Sequence, residues 1–365
     1  MSVLFVPGYL ARDVPRLAAS VGASAVVCSG EVDLLSRRHE AQSVSGEVLL
    51  LTSGTSGTPK VARHKWQTLL ARIRRPRTEE ERVWLLTYLP TSFAGLQVLL
   101  TALVCGDQIV RAPRAPREVL ALATQRRVTH LSCTPTFLRG LMAAGADGSL
   151  LPSFKQITLG GEIADQRTLT AARTRFPGAR ISHIYAATET GALFSVGDGL
   201  EGFPRIWLEN GVEDVRLKLV DDVLYVNSPR AMVAYAGRPD VSAWIDTGDM
   251  VSVGEDRVLF VGRRDRRINV GGAKTVPEEV EQAIMEVPGV ADAVVTGMPN
   301  PLSGQMVLAE VVPEPGSDTE MLREEIFSHI RGRLANHQIP RILRFRSEVP
   351  LAPSGKKGGT ISSSL

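Results

Sequence analysis

Residues 48–60 read VLLLTSGTSGTPK: a run of four apolar residues, then a loop of hydroxyls and glycines that ends on a lysine. An apolar run bounded by turn residues fits a strand buried on both faces. Beyond it, Thr52, Ser53, Gly54, Thr55, Ser56, Gly57, Thr58 and Lys60 bring together two glycines, five hydroxyls and one ammonium group. Glycine lets backbone amides approach an anion closely, and the hydroxyls and Lys60 add donors and charge. The segment therefore has the chemistry of a polyphosphate loop, although a Ser/Thr/Gly loop taken alone is also an ordinary turn. It is not a Walker loop, because Pro59 stands where that motif places Gly before its Lys.

Outward from this loop, helix and strand signals alternate. Upstream, Ala11 to Val21 has helical spacing and Ala23 to Cys28 reads as a strand. Downstream, a helix is expected over Val61 to Ile73, a strand over Val83 to Leu89, and an apolar helix from Gly95 to Val104 stopped by Gly106. Strands at Gln108–Val110 and His130–Cys133 flank a helix at Val119–Arg127, and Thr134-Pro135 has the cap and first-turn order that opens a helix through Met142. With further strands at Gln156–Leu159 and Arg180–Tyr185, the rhythm implies a mostly parallel sheet whose ligands bind in the loops after strands.

From about 212 to 262 short strands and turns suggest an antiparallel subdomain, and 266–365 repeats an α+β rhythm. The expected fold is thus α/β. A large portion, 1–262, has mostly parallel sheet layers and a small antiparallel subdomain; a hinge at 263–265 leads to a small, mobile α+β domain at 266–365.

Composition bounds the function. The chain has 365 residues, 44% hydrophobic and 22% charged, which excludes a disordered or collagen-like protein. A formal net charge of +3 is too small for a bulk nucleic-acid binder. No run of some 18 apolar residues offers a membrane span, and no basic head precedes the short apolar start, so a cytoplasmic protein is expected. Cys28, Cys105 and Cys133 read as small core residues in a reducing compartment, without metal spacing to the six histidines.

Five segments, in order, resemble the adenylate-forming enzymes, a family that includes acyl- and aryl-CoA synthetases, adenylation domains of nonribosomal synthetases, and luciferases. They are Thr52 to Lys60; Gly160-Gly161-Glu162; Tyr185-Ala186-Ala187-Thr188-Glu189; Asp246-Thr247-Gly248-Asp249 with Gly262-Arg263-Arg264-Asp265; and Pro350 to Lys356, which ends Ser354-Gly355-Lys356. The resemblance implies that the first loop holds the β and γ phosphates of ATP, that Gly161 and Glu162 border adenine, and that Tyr185 stacks on it. It implies further that Thr188 donates to a phosphate, that Glu189 helps hold Mg²⁺, and that Asp249 and Arg263 hold the ribose. Asp265 would be the hinge; Gly271, Gly272 and Lys274 would line the passage for the acceptor thiol. Lys356 would stabilise the charge that builds at the α-phosphate.

Other positions depart from the family pattern. His183 stands where Asn or Asp often faces the adenine amine, and Ala186 replaces a common Gly. Amino-acid activators place Asp after the aromatic at Phe93, and this chain has Ala94. An aryl or short-to-medium acyl acid is therefore expected over an α-amino acid, in a pocket lined by Phe93, Ala94, Gly95, Thr136, Phe137, Leu159, Ala187 and Thr190. The acceptor would be CoA or a carrier protein's phosphopantetheine, with the basic run Arg72, Arg74, Arg75 and Arg77 as a dock for either. The family usually has a long subdomain before the phosphate loop, so a homodimer or partner subunit covering that flank is also expected. Two rival readings stand beside this one: a non-catalytic nucleotide-binding subunit, and an adenylating enzyme with an amine acceptor or a non-carboxylate substrate.

Overall fold

The computed structural model describes residues 3–6, 25–28, 31–34, 46–52, 60–75, 80–145, 151–349 and 357, the first three segments by backbone alone. The first sheet contains β1 (Val3–Val6), β2 (Ala25–Cys28), β3 (Glu31–Leu34), β4 (Glu47–Thr52), β5 (Lys60–Lys65) and, from later in the chain, β15 (Ala234–Tyr235), in the order β15-β5-β4-β1-β2-β3. Only the β1–β2 and β1–β4 pairs are parallel, so this layer is mixed and not mostly parallel. The helix expected from Val61 is corrected: the chain first returns as β5, with Thr52 opposite Lys60, and helix α1 is confined to Trp66–Leu70. A strand there satisfies the open hydrogen-bonding edge of β4 and buries Val61, Ala62 and His64, which local helical spacing could not do. The helix expected at Ala11 to Val21 lies outside the described residues.

The second sheet carries β6 (Val83–Leu86), β7 (Gln108–Arg111), β8 (His130–Cys133), β9 (Gln156–Gly160), β10 (Arg180–Ala187) and β11 (Gly191–Val196), ordered β11-β10-β9-β8-β6-β7. All its pairs are parallel except β10–β11. Its helices are α2 (Phe93–Cys105), α3 (Pro116–Gln125), α4 (Pro135–Ala144) and α5 (Gln166–Arg175). Leu85, Leu131, Ile157 and Leu159 are fully buried beneath Val119, Leu138, Leu141 and Leu169 of α3, α4 and α5. On the other face Trp84 and Leu86 meet Val98 and Ala102 of α2, while Phe93, Leu96 and Leu100 of the same helix meet Val48 and Leu50 of the first sheet. Helix α2 is therefore sandwiched between two sheets, which is why its sequence is apolar nearly all round.

The third sheet is antiparallel: β12 (Phe203–Pro204), β13 (Arg216–Val220), β14 (Val223–Asn227), β16 (Ile245–Val253) and β17 (Arg257–Arg263), with the short helix α6 (Trp207–Asn210) beside it. A 3₁₀ turn at Arg264–Arg266 then leads to the last sheet. That sheet comprises β18 (Ile268–Val270), β19 (Ala273–Thr275), β20 (Val290–Asn300), β21 (Gly304–Pro313) and β22 (Ile342–Phe345), covered by α7 (Pro277–Met285) and α8 (Thr319–Arg331). Val280, Ile284, Val295, Ala309, Ile326 and Ile330 form its own core. Among the described residues no helix is long and apolar enough to cross a membrane. The loops at the carboxyl ends of β8, β9 and β10 carry Thr134, Gly161-Glu162 and Thr188-Glu189, and the site forms there.

Candidate active site

A cavity of ≈ 310 Å³ opens between the second and third sheets and the last one, lined from one side by Gly161, Glu162, His183, Tyr185, Ala187, Asp249, Phe260 and Arg263, and from the other by Arg266, Glu278, Glu281 and Lys357. The register of β16 and β17 places Asp249 directly opposite Arg263, and Arg263 Nη1 donates to Asp249 Oδ1 at 3.1 Å. The Tyr185 hydroxyl donates to the other oxygen, Oδ2, at 2.5 Å. Burial first, and then the Asp249 charge, push the Tyr185 phenol well above its usual range, so it remains a donor. Its ring packs on Phe194 and Phe260, with centroids 5.4 and 4.7 Å away. Phe260 reaches the cavity too, and no sequence signal beyond its apolar strand marked it.

The guanidinium of Arg263 also meets the carboxylate of Asp265, with Nε to Oδ1 at 3.0 Å, which ties the 3₁₀ turn to the Asp249–Arg263 pair. His183 Nε2 lies 3.1 Å from the Leu200 carbonyl, which can only accept, so Nε2 carries the proton. Burial lowers the His183 pKa and keeps the ring neutral, which makes Nδ1 an acceptor.

A second group forms where β4, β5 and β15 end. Glu189 Oε1 accepts from the Tyr235 hydroxyl, and Lys60 Nζ stands 5.4 Å from the centre of the Tyr235 ring. Thr52 Oγ1 lies 3.5 Å from the Lys60 carbonyl. Tyr235 thus joins the ends of the glycine loop to Glu189, a role that only the β5–β15 pairing reveals. Among the described residues no group of three or more His, Cys, Asp or Glu is arranged for a metal ion. A single carboxylate at this place fits Mg²⁺ that arrives on a polyphosphate and keeps water ligands, and does not fit an all-protein cage. Ser53, Gly54, Thr55, Ser56, Gly57, Thr58 and Lys356 lie outside the described residues.

Of the third group, sequence reasoning named Glu162 and Thr136 and missed Arg139, Asp292 and Lys357. Glu162 Oε2 accepts from the Thr136 amide at 3.1 Å, and its Oε1 accepts from the Lys357 amide at 2.9 Å. Lys357 Nζ then donates to the Ala293 carbonyl at 2.6 Å and pairs with Asp292 Oδ1 at 2.7 Å. Arg139 Nη2 holds both oxygens of that same Asp292 at 3.1 Å. Burial opposes the charge on Asp292, but Lys357 and Arg139 outweigh it and hold the carboxyl below its usual range. The available signal was a lone charge in each of two apolar elements: Arg139 in PTFLRGLMAA and Asp292 in VADAVV.

Two sets of expected residues are not gathered at the cavity. Of the acid-pocket set only Ala187 lines it. Gly95 lies in the first turn of α2, where an added Cβ would sit 2.0 Å from the Leu89 carbonyl oxygen. Leu159 is fully buried in the sheet core, and Phe137 packs against that core. Phe93 is buried beside His64, Ala94 packs on the cluster of Trp84 and Tyr88, Thr136 bonds Glu162, and Thr190 Oγ1 donates to the Gly191 carbonyl. Gly271, Gly272 and Lys274 sit on the β18–β19 hairpin; an added Cβ on either glycine meets nothing within 4 Å.

Sheets stacked around a buried helix, with a cleft of ≈ 310 Å³ closed by a small α+β layer, define a scaffold that other chains share. The chain belongs to the AMP-binding enzyme family: the model of that family matches residues 18–224, and that of the AMP-binding enzyme C-terminal domain matches 279–356. It is 24% identical over 344 residues to a mitochondrial acyl-coenzyme A synthetase of Homo sapiens, covering 85% of this chain and 59% of that protein. It is 29% identical over 395 residues to the probable non-canonical nonribosomal peptide synthetase CymA of Salinispora arenicola, covering 96% of this chain and 5% of that protein. Among solved structures it shares its fold with the anthranilate CoA ligase AuaEII in complex with anthranoyl-AMP, with a TM-score of 0.72 at 22% identity over 97% of this chain and 76% of that one.

Proposed function

We propose that this chain activates a carboxylic acid with ATP: a carboxylate oxygen attacks the α-phosphorus, the bond to the bridging oxygen breaks, and pyrophosphate leaves. The acceptor sulfur of CoA or of a carrier protein's phosphopantetheine then attacks the acyl carbonyl, the bond to AMP breaks, and the thiol proton passes to solvent. The observation that carries this reading is the Asp249 carboxylate held between Tyr185 and Arg263 on the wall of the ≈ 310 Å³ cleft. Asp249 and Arg263 would take the ribose hydroxyls, and His183 Nδ1 would accept from the adenine amine. The Thr52 to Lys60 loop would take the outer phosphates and Thr188 a phosphate oxygen.

Glu189 would hold Mg²⁺, which when bound neutralises phosphate charge and helps pyrophosphate leave. Lys356 would neutralise charge at the α-phosphorus in the transition state. The hinge would lie at 263–265, a reading supported by the 3₁₀ turn at Arg264–Arg266 that connects the third sheet to the last. An aryl or short-to-medium acyl acid is favoured, because Ala94 supplies no carboxylate for an α-ammonium group and Phe93 sits among apolar residues. The relatives divide between acyl-CoA synthetase and nonribosomal synthetase, so both acceptors are carried into the test. Arg72 is already paired with Glu213 at 2.8 Å, which leaves Arg74 and Arg75 as the exposed members of the described basic run.

A panel of aryl, acyl and amino acids, read by pyrophosphate release and then by trapping with CoA or loaded carrier protein, tests the proposal. Release with an aryl or acyl acid is expected, and Lys356→Ala should lower it on the order of 100-fold or more. ATP binding without turnover on any acid would turn the reading to a nucleotide-binding subunit.

A further inference from the structure

Asp292 is shared by two cations from different parts of the chain. Arg139 comes from α4 of the second sheet, Lys357 from the C-terminal tail, and Asp292 itself from β20 of the last sheet. All three side chains are nearly buried, at 13%, 8% and 7% exposure. The Lys357 ammonium has three donors: one is given to Asp292, one to the Ala293 carbonyl, and the third side faces Glu281 at 3.7 Å. Two of its three donors are thus committed within the protein, which marks this lysine as a holding contact even though it lines the cavity. Its amide is spent as well, on Glu162, whose other oxygen is bound to the start of α4.

We propose that Lys357 and Asp292 form, with Arg139, a clamp that holds the last sheet and the tail against the second sheet in the arrangement that closes the cavity. Lys357 is then a positioning residue for acid adenylation, and release of the clamp is the first event when the small domain turns about 263–265. Arg139 and Asp292 lie on opposite sides of that turn. Hydrogen bonds of 3.1 Å weaken steeply when stretched, so a rotation there cannot keep them. Arg139 stays anchored without Asp292, through Thr168 at 3.0 Å and Asp165 at 3.4 Å, so opening leaves its charge partnered. Asp292 and Lys357 would likewise remain a pair. The clamp can therefore open without stranding a buried charge, which suits a contact made and broken in each turnover.

The clamp rests on the proposed adenylation for its purpose but not for its existence, and the test separates the two. Hydrogen exchange on the full chain, without substrates, should show lower protection of residues 135–144 and 290–300 together in Lys357→Met and Asp292→Asn, with protection restored in Lys357→Arg. With an accepted acid, Lys357→Met should slow pyrophosphate exchange about tenfold and leave transfer from supplied acyl adenylate to thiol at or above the wild-type rate. Unchanged exchange protection in both variants overturns the clamp, and so does an equal fall in both half-reactions. If the wild type turns over no acid, the proposed activity fails and the hydrogen-exchange result alone decides the clamp.

Discussion

His64 is fully buried on β5, with its ring centre 5.7 Å from that of Phe93. Burial drives its pKa from 6.5 down to about 4, and the weaker pull of the Thr188 carbonyl and of Glu189 does not restore it. The folded ring is thus neutral while the unfolded one gains a proton below pH 6.5. The stability it contributes is complete above that pH and is lost as pH falls towards 4. A shift of this size corresponds to about 3 kcal/mol. His64→Leu should remove that part of the acid slope, read as the difference in urea midpoints between pH 7 and pH 4.5; parallel slopes for variant and wild type would sink the assignment. His130 is also lowered to about 4 and stays in both proteins, so the comparison isolates His64. Gly95 makes the complementary case. A Cβ added there would meet the Leu89 carbonyl oxygen at 2.0 Å, and Gly95→Ala should cost about 2 kcal/mol or more in urea unfolding because the atom it meets is main chain.

At the scale of elements, ends were easier to read than pairings. Thr134 accepts from the Phe137 amide at 3.1 Å with Pro135 in the first turn, Ser92 caps α2, and Gly106 closes it at φ +73. Each of these is a local rule, and a local reading reaches the Thr134-Pro135 start and the Gly106 stop, although it opens α2 at Gly95 and passes over the Ser92 cap. Thr134→Ala should therefore destabilise the protein by about 1 kcal/mol and Thr134→Ser by much less, as equilibrium unfolding can check. Strand β5 was not legible for the opposite reason. Val61 to Lys65 has no helix breaker, and what makes it a strand is the open edge of β4 on one side and Ala234–Tyr235, some 170 positions away, on the other. The same long-range pairing brings Tyr235 to Glu189, which is why the motif reading found the carboxylate and missed the hydroxyl bound to it.

Across the whole molecule, the cavity is where the ends of β9 and β10 in the second sheet face the β16–β17 pair of the third, and the motif residues Glu162, Tyr185, Asp249 and Arg263 all line it. What they could not specify is the relative placement of the last sheet, and that placement decides which small-domain residues reach the cavity. In this arrangement Glu278, Glu281 and Lys357 do, while Gly271 and Gly272 stand at φ +59 and +91 on a hairpin with open space around both. That openness makes a sharp test of domain rotation. Asn visits the left-handed region more readily than other side chains, so Gly271→Asn should leave thermal stability and pyrophosphate release nearly unchanged. If the small domain turns to bring this hairpin over the cleft, the added side chain obstructs the acceptor's passage, and thioester formation should fall at least tenfold. An added Cβ at Gly271 meets nothing within 4 Å in the present arrangement, so such a loss would arise from the turn and not from local crowding. Equal thioester rates in variant and wild type would mean that the hairpin never approaches the acceptor, and that the second half-reaction runs without the turn about 263–265.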